Sequence, residues 1–151
     1  MTHAVVLGAS MGGLLAARVL ADFYDTVTVV ERDPLPDSAT HRRGVPQGRH
    51  IHALLGRGLQ VLSELFPGFR DELLDAGTPV LDYSDLSKVY FCAGGHVLVR
   101  AGRFTDTAPL FFPSRPLVES LVRQRVRKIA NVTTLDAVSY THLTLPTNRE
   151  V

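Results

Sequence analysis

Near the start of the chain, Gly8-Ala9-Ser10-Met11-Gly12-Gly13, with Ala17 four positions further on, have the types and spacing of a turn that can hold a pyrophosphate. Each position has a physical task. Gly8 allows a tight turn out of a strand, and Gly13 lets the following helix sit close to that strand. The helix N-terminus then offers free backbone N–H groups and the positive end of its dipole to an anion. The middle position of the motif is Ser10 where a glycine is usual. Its side chain narrows the approach of a pyrophosphate, although a small hydroxyl is also able to hydrogen-bond a phosphate oxygen. Glu31 stands 23 positions after Gly8, at the end of a second strand pattern. A carboxylate there can accept hydrogen bonds from a ribose 2′-OH and would repel a 2′-phosphate. The alternative is a purely structural glycine turn with a solvated glutamate.

A second group of chemically capable residues lies in Thr40 to Leu55, THRRGVPQGRHIHALL, which holds Arg42, Arg43, Arg49, His41, His50 and His52. Four readings stay open. The segment is a phosphate- or flavin-contacting loop with donors from its arginines and Gln47, a metal site on His50 and His52, a nucleic-acid patch, or a solvated basic loop. The metal reading suffers because histidines at i and i+2 point apart on a helix, with no carboxylate or thiolate near in sequence. The nucleic-acid reading suffers because no aromatic residues interleave the arginines. The single cysteine, Cys92, lies in an apolar run and reads as a core residue rather than a nucleophile.

These residues need elements to position them. Ala4 to Leu7 is a short apolar run closed by Gly8, which predicts a strand buried on both faces. Gly12 to Phe23 predicts a helix with little polar surface, and Thr26 to Glu31 a second strand rich in β-branched residues. Together they form a βαβ unit. Arg32 to Gln47 is a polar loop with three prolines. Helices follow over Ile51 to Phe66 and Phe69 to Ala76, the second closed by Gly77. Lys88 to Arg100 predicts a hairpin turning at Ala93-Gly94-Gly95. Leu117 to Lys128 is a helix with Leu117, Val118, Leu121, Val122 and Val126 on one side, and Asn131 to Leu135 another sheet strand.

With 151 residues, 45% apolar and 21% charged, the chain can bury a core as an ordinary soluble domain. A net charge of +1 gives no reason to expect a nucleic acid or an anionic membrane as partner. One cysteine excludes a disulfide framework and fits a reducing, cytoplasmic setting. Residues 4–21 are apolar enough to suggest a signal peptide or a short span. No Lys or Arg precedes them, however, Arg18 lies inside them, and Gly8, Gly12 and Gly13 interrupt them.

The run Gly8 to Gly13 with Ala17, then Glu31-Arg32, resembles the FAD-binding module of aromatic-hydroxylase-type flavin monooxygenases. PQGRHIHALLGRG (Pro46 to Gly58) and PSRPLVESLVR (Pro113 to Arg123) resemble a bacterial hydroxylase and epoxidase-like branch of that group. The resemblance covers about residues 3–138. It implies an α/β, Rossmann-like FAD-binding domain with a βαβ N-terminus and a central, mostly parallel sheet, truncated. It further implies that Gly8, Ser10, Gly12, Gly13, Glu31 and Arg32 face the ADP half of FAD, and that Arg115 contacts its flavin side, with Gln47 and Arg49 near it.

By the same resemblance, NAD(P)H reduces the flavin, and one oxygen of O₂ passes to a small organic substrate. The Asp-Gly and Gly-Asp motifs of that group do not occur in this chain, nor does its substrate sheet, so no catalytic acid or base can be named. Residues 1–138 are therefore expected to form the incomplete N-terminal part of an enzyme, inactive alone. Ser139 to Val151 (SYTHLTLPTNREV) resembles a translated adaptor tail and is expected to be non-native. The rival functions are a flavin-dependent reductase or halogenase on the same scaffold and a non-catalytic nucleotide-binding module.

Overall fold

A computed structural model of the chain describes residues 1–105, 107 and 109–139. In chain order the elements are β1 (His3–Leu7), α1 (Met11–Leu20), β2 (Thr26–Val30), α2 (Gly56–Leu65), α3 (Phe69–Asp75), β3 (Val80–Leu81), β4 (Cys92–Ala93), β5 (His96–Val97), β6 (Leu110–Phe111), α4 (Arg115–Arg127) and β7 (Val132–Leu135). They fall into two compact units. One is Met1–Pro46 with the chain from Glu119 onward; the other is Gln47–Val118.

The first unit carries a three-stranded parallel sheet in the order β1-β2-β7. Ala4 pairs with Val27 and Val27 with Val132; Val6 pairs with Val29 and Val29 with Thr134. Residues in register share a face, so the buried Val6, Val27, Val29 and Val132 form one apolar layer. Helix α1 contributes Leu14 and Ala17 to this core, and α4 contributes Val122 and Val126; all four are fully buried. Parallel pairing of β1 with β2 across α1 is the βαβ unit expected from the sequence, and β7 takes the sheet position expected of Asn131 to Leu135.

Two expectations for this unit are corrected. Strand β1 is not buried on both faces: Val5 is 56% and Leu7 64% exposed. Only the Val6 face of this short sheet is buried among the described residues, so the alternate residues meet solvent. The first helix ends at Leu20 rather than Phe23, which is 75% exposed. The side-chain amide of Asn131 donates to the carbonyls of Ala21 and Tyr24 at 2.9 and 3.0 Å and so fixes a tight exit turn instead of a further helical turn.

In the second unit α2 supplies Leu59, Leu62 and Phe66, and α3 supplies Phe69 and Leu73, to a small core. Helix α3 ends in a Schellman motif. Gly77, at φ +74, donates to Leu74 O at 2.8 Å, and Thr78 donates to Leu73 O at 3.0 Å. Helix α2 starts at Gly56, five residues later than expected. Leu54 N donates to Phe111 O at 2.8 Å and His52 Nδ1 lies 3.1 Å from Pro113 O, so residues 52–54 are held extended.

The hairpin forms as β4 and β5 around Gly94 and Gly95, both at positive φ. Its strands are two residues long and fully exposed. Cys92 is therefore on the surface, which corrects its assignment to a core. The expectation that Ser139 to Val151 is foreign concerns residues that, beyond Ser139, lie outside those described.

Candidate functional site

The glycine turn links β1 to α1. Gly8 has φ +95, a conformation that L side chains rarely adopt, and its N–H donates to Val30 O at 2.7 Å. A Cβ built on Gly13 would stand 1.9 Å from Gly8 O, so only glycine lets α1 approach the strand this closely. A Cβ at Gly8 or Gly12 would meet nothing within 4 Å, which leaves open space beside the helix N-terminus. Ser10 is the N-cap of α1 in extended conformation, and its side chain makes no capping bond. The first-turn N–H groups thus have no capping oxygen from Ser10, which is exposed. Backbone donors, a dipole end and open space are what a phosphate requires.

Glu31 is only 8% exposed. Its Oε2 accepts from Ala9 N at 2.7 Å, and its Oε1 accepts from Asp33 N at 3.0 Å. The guanidinium of Arg42 adds a charged contact, Nη2 to Oε2 at 2.9 Å. Burial pushes the Glu31 carboxyl up, but the hydrogen bonds from Asp33, Ala9 and Arg42 outweigh it and hold the group below its ordinary value. A carboxylate offers about four acceptor positions. Three are used, and the remaining one is on Oε1.

Arg42 is the centre of a buried charge cluster. Its side chain is 6% exposed. Nη1 donates to Glu119 Oε1 at 2.5 Å and to Ala9 O at 3.1 Å. Burial lowers its pKa, and the carboxylates of Glu119 and Glu31 more than restore it, so Arg42 stays charged. Arg123, 2% exposed, reaches Glu119 Oε1 at 3.5 Å and Ser38 O at 3.4 Å. Burial lowers the Arg123 pKa, and Glu119 only partly opposes this. Two glutamates and two arginines therefore balance. The reading of Thr40 to Leu55 as a solvated basic loop fails at Arg42, although His41 and Arg43 are exposed.

The loop after β2 is fastened to α4 and the chain beyond it at further points. Arg127 Nη1 lies 2.9 Å from Asp37 Oδ1, and Leu35 N donates to Asp136 Oδ2 at 2.7 Å. Glu119, Arg123 and Arg127 follow one another at intervals of four on α4, the spacing that puts side chains on one face. Asp33, Pro36, His41, Arg42 and Arg43 line an open cleft of about 330 Å³.

The other expected site residues are placed as follows. Gly8, Ser10, Gly12, Gly13 and Glu31 come together in the first unit. Arg32 belongs to it too, but its side chain is 66% exposed and lies 3.4 Å from Asp33 Oδ1. Gln47 and Arg49 stand exposed on a short 3-10 turn, Pro46–Arg49. Arg115 opens α4, where Ser114 Oγ accepts from Leu117 N at 3.3 Å and caps the helix. The Nε of Arg115 is buried without a hydrogen-bond partner. Among the described residues no group of three His, Cys, Asp or Glu is arranged to hold a metal. No described helix is long and apolar enough to cross a membrane.

Comparison with known proteins gives the fold a context. No protein-family model matches the chain. Protein Rv3254 of Mycobacterium tuberculosis (strain ATCC 25618 / H37Rv) is 47% identical over 130 residues, which is 86% of this chain and 27% of that protein. The crystal structure of pqsL, a probable FAD-dependent monooxygenase from Pseudomonas aeruginosa, superposes with a TM-score of 0.58 at 18% identity. The match covers 90% of this chain and 33% of pqsL. Aklavinone-11 hydroxylase, solved in a ternary complex with FAD and aklavinone, superposes with a TM-score of 0.52 at 21% identity, over 90% of this chain and 25% of that one. The chain thus has the fold of one part of FAD-dependent monooxygenases, and it spans about a quarter to a third of the length of these proteins.

Proposed function

We propose that this chain is the ADP-holding part of a flavin-dependent oxidoreductase, a Rossmann-like module that binds FAD. The observation that carries the reading is the pairing of two features in one unit: an open glycine turn at a helix N-terminus, and a buried Glu31 with one acceptor position remaining on Oε1. The turn suits the pyrophosphate, and Oε1 suits a single ribose hydroxyl. A diol bound through both carboxylate oxygens does not fit, because Oε2 is already taken by Ala9 N and Arg42.

The residues fit the cofactor on geometric grounds. Gly8 and Gly12 leave the space that a side chain would fill, and Ser10 adds a hydroxyl at its edge. By resemblance Arg32 contributes a further contact. Bound FAD would supply the redox chemistry: electrons from NAD(P)H and delivery of one oxygen atom to a small organic substrate. The protein's share is to bind, orient and exclude water. The relatives that this chain matches are about three times its length. The residues 1–138 alone are expected to bind FAD or ADP weakly and not to accelerate NADPH oxidation beyond free flavin.

The test is titration of FAD and ADP-ribose into the full chain and its Glu31→Ala variant. Loss of the ribose contact is expected to weaken binding by about 1–3 kcal/mol. Equal affinities for the two proteins would remove Glu31 from the site. Protein-dependent NADPH turnover would show that the chain holds a complete active site.

A further inference from the structure

We propose that Glu119, which belongs to neither the glycine turn nor the strand after it, sets which nucleotide the site accepts: by balancing Arg42 it keeps the cluster around Glu31 neutral, so that a ribose with a free 2′-OH is admitted and a 2′-phosphate is refused. The inference rests on the proposed nucleotide site and deepens it.

Arg42 is the cation that reaches Glu31, at 2.9 Å, and a 2′-phosphate beside Glu31 Oε1 would seek that same cation. Glu119 competes for it. Its Oε1 lies 2.5 Å from Arg42 Nη1 and 3.5 Å from Arg123 Nη1, and its side chain is only 4% exposed. With Glu119 ionised, two negative and two positive groups cancel, and Arg42 has no charge left to offer. Without it, the buried groups of the cluster are two guanidiniums, Arg42 and Arg123, and one carboxylate, Glu31, and they carry a net positive charge. Buried charges are weakly screened, so this difference is felt at the ribose. Arg43 and His41 also line the adjoining cleft, but both are exposed to water and counterions.

Arg42 further ties this balance to the turn itself. Its Nη1 donates to Ala9 O, while Ala9 N donates to Glu31 Oε2. Glu119 therefore acts through Arg42 on both the ribose carboxylate and the peptide next to Gly8. It is a positioning and specificity residue, not a ligand of the nucleotide.

The experiment compares ADP-ribose with 2′-phospho-ADP-ribose on the full chain, by calorimetry at low and at high salt, with folding followed by circular dichroism. The wild type is expected to prefer ADP-ribose by about tenfold or more. Glu119→Gln, which keeps an acceptor but loses the charge, should shrink that preference about fivefold, chiefly by tighter binding of the phosphorylated ligand. Glu119→Asp should restore it, and added salt should blunt the shift. Arg123→Met removes a cation instead and should widen the preference, which supplies a test of opposite sign should Glu119→Gln fail to fold. An unchanged ratio in both variants, or equal weakening of both ligands, would overturn the proposal while leaving the nucleotide site intact. Failure of either ligand to bind the wild type would overturn the site and this inference together.

Discussion

A Cβ on Gly13 would lie 1.9 Å from the carbonyl oxygen of Gly8. The contact is backbone against a new side-chain atom, so no flexible group can yield, and α1 would have to move away from β1. Gly13→Ala is therefore expected to cost about 3 kcal/mol or more, in the range of severe core substitutions. Gly12 is the control, because a Cβ there meets nothing within 4 Å. Gly12→Ala should change stability by less than about 1 kcal/mol, with helix propensity in its favour. It should still weaken ADP-ribose binding by crowding the phosphate approach. Urea denaturation of both variants gives the comparison; equal stabilities would mean that the turn does not hold the helix as described.

Cys92 sits in a two-residue exposed strand. A thiol there needs no opening of the structure to meet a reagent. Labelling by a disulfide-exchange probe under native conditions should proceed at close to the rate seen in denaturant. A requirement for denaturation would return Cys92 to a buried place.

The parts that were legible in the sequence are those fixed by local pattern. Gly8 and Gly13 mark the turn, the β-branched run from Thr26 marks the central strand, and Gly94-Gly95 marks the hairpin, because each depends on neighbours a few residues away. The open face of β1 was not legible: a run of apolar residues reads the same whether one or both faces are covered, and Val5 and Leu7 depend on what else packs on the sheet. Strands β3 and β6, Val80–Leu81 and Leu110–Phe111, are too short to show a period. The role of Arg42 was missed because its partners, Glu31 and Glu119, lie on either side of it at long range. One signal was present: Glu119, Arg123 and Arg127 recur every four residues on a helix that also carries Val118, Val122 and Val126. Of these, Glu119 and Arg123 lie buried beside the apolar stripe and so need buried partners.

Glu31 also predicts a response to acid. Its folded pKa is held below the ordinary value, despite burial, by Asp33 N, Ala9 N and Arg42. A carboxyl of that kind contributes stability that is present above its unfolded pKa and lost as pH falls through the folded one. The chain should therefore weaken below about pH 5. Glu31→Gln should be less stable than the wild type at neutral pH by about 1–3 kcal/mol, and the gap should close as pH falls. Urea midpoints from pH 7 to pH 3 would show it. A gap constant with pH would mean that the ionised form of Glu31 has no special place in the fold.

The pair Arg42 and Glu119 permits the sharpest energetic test. Both side chains are nearly fully buried, at 6% and 4% exposure, and their closest atoms are 2.5 Å apart. Removing one partner strands the other charge in the interior. Arg42→Met leaves Glu31 and Glu119 without their shared cation and should cost about 3–5 kcal/mol. Glu119→Gln keeps a hydrogen-bond acceptor and should cost less. In the double variant Glu119 no longer carries a charge that needs Arg42, so the losses should not add; a coupling of about 1.5 kcal/mol or more is expected. Replacing Arg127, whose partner Asp37 is 96% exposed, should show coupling under about 1 kcal/mol in the same cycle. The readout is the free energy of unfolding of each variant in urea at pH 7. A coupling for Arg42 and Glu119 no larger than that for Arg127 and Asp37 would show that the buried cluster does not hold the loop onto α4, and the neutral balance around Glu31 would lose its basis.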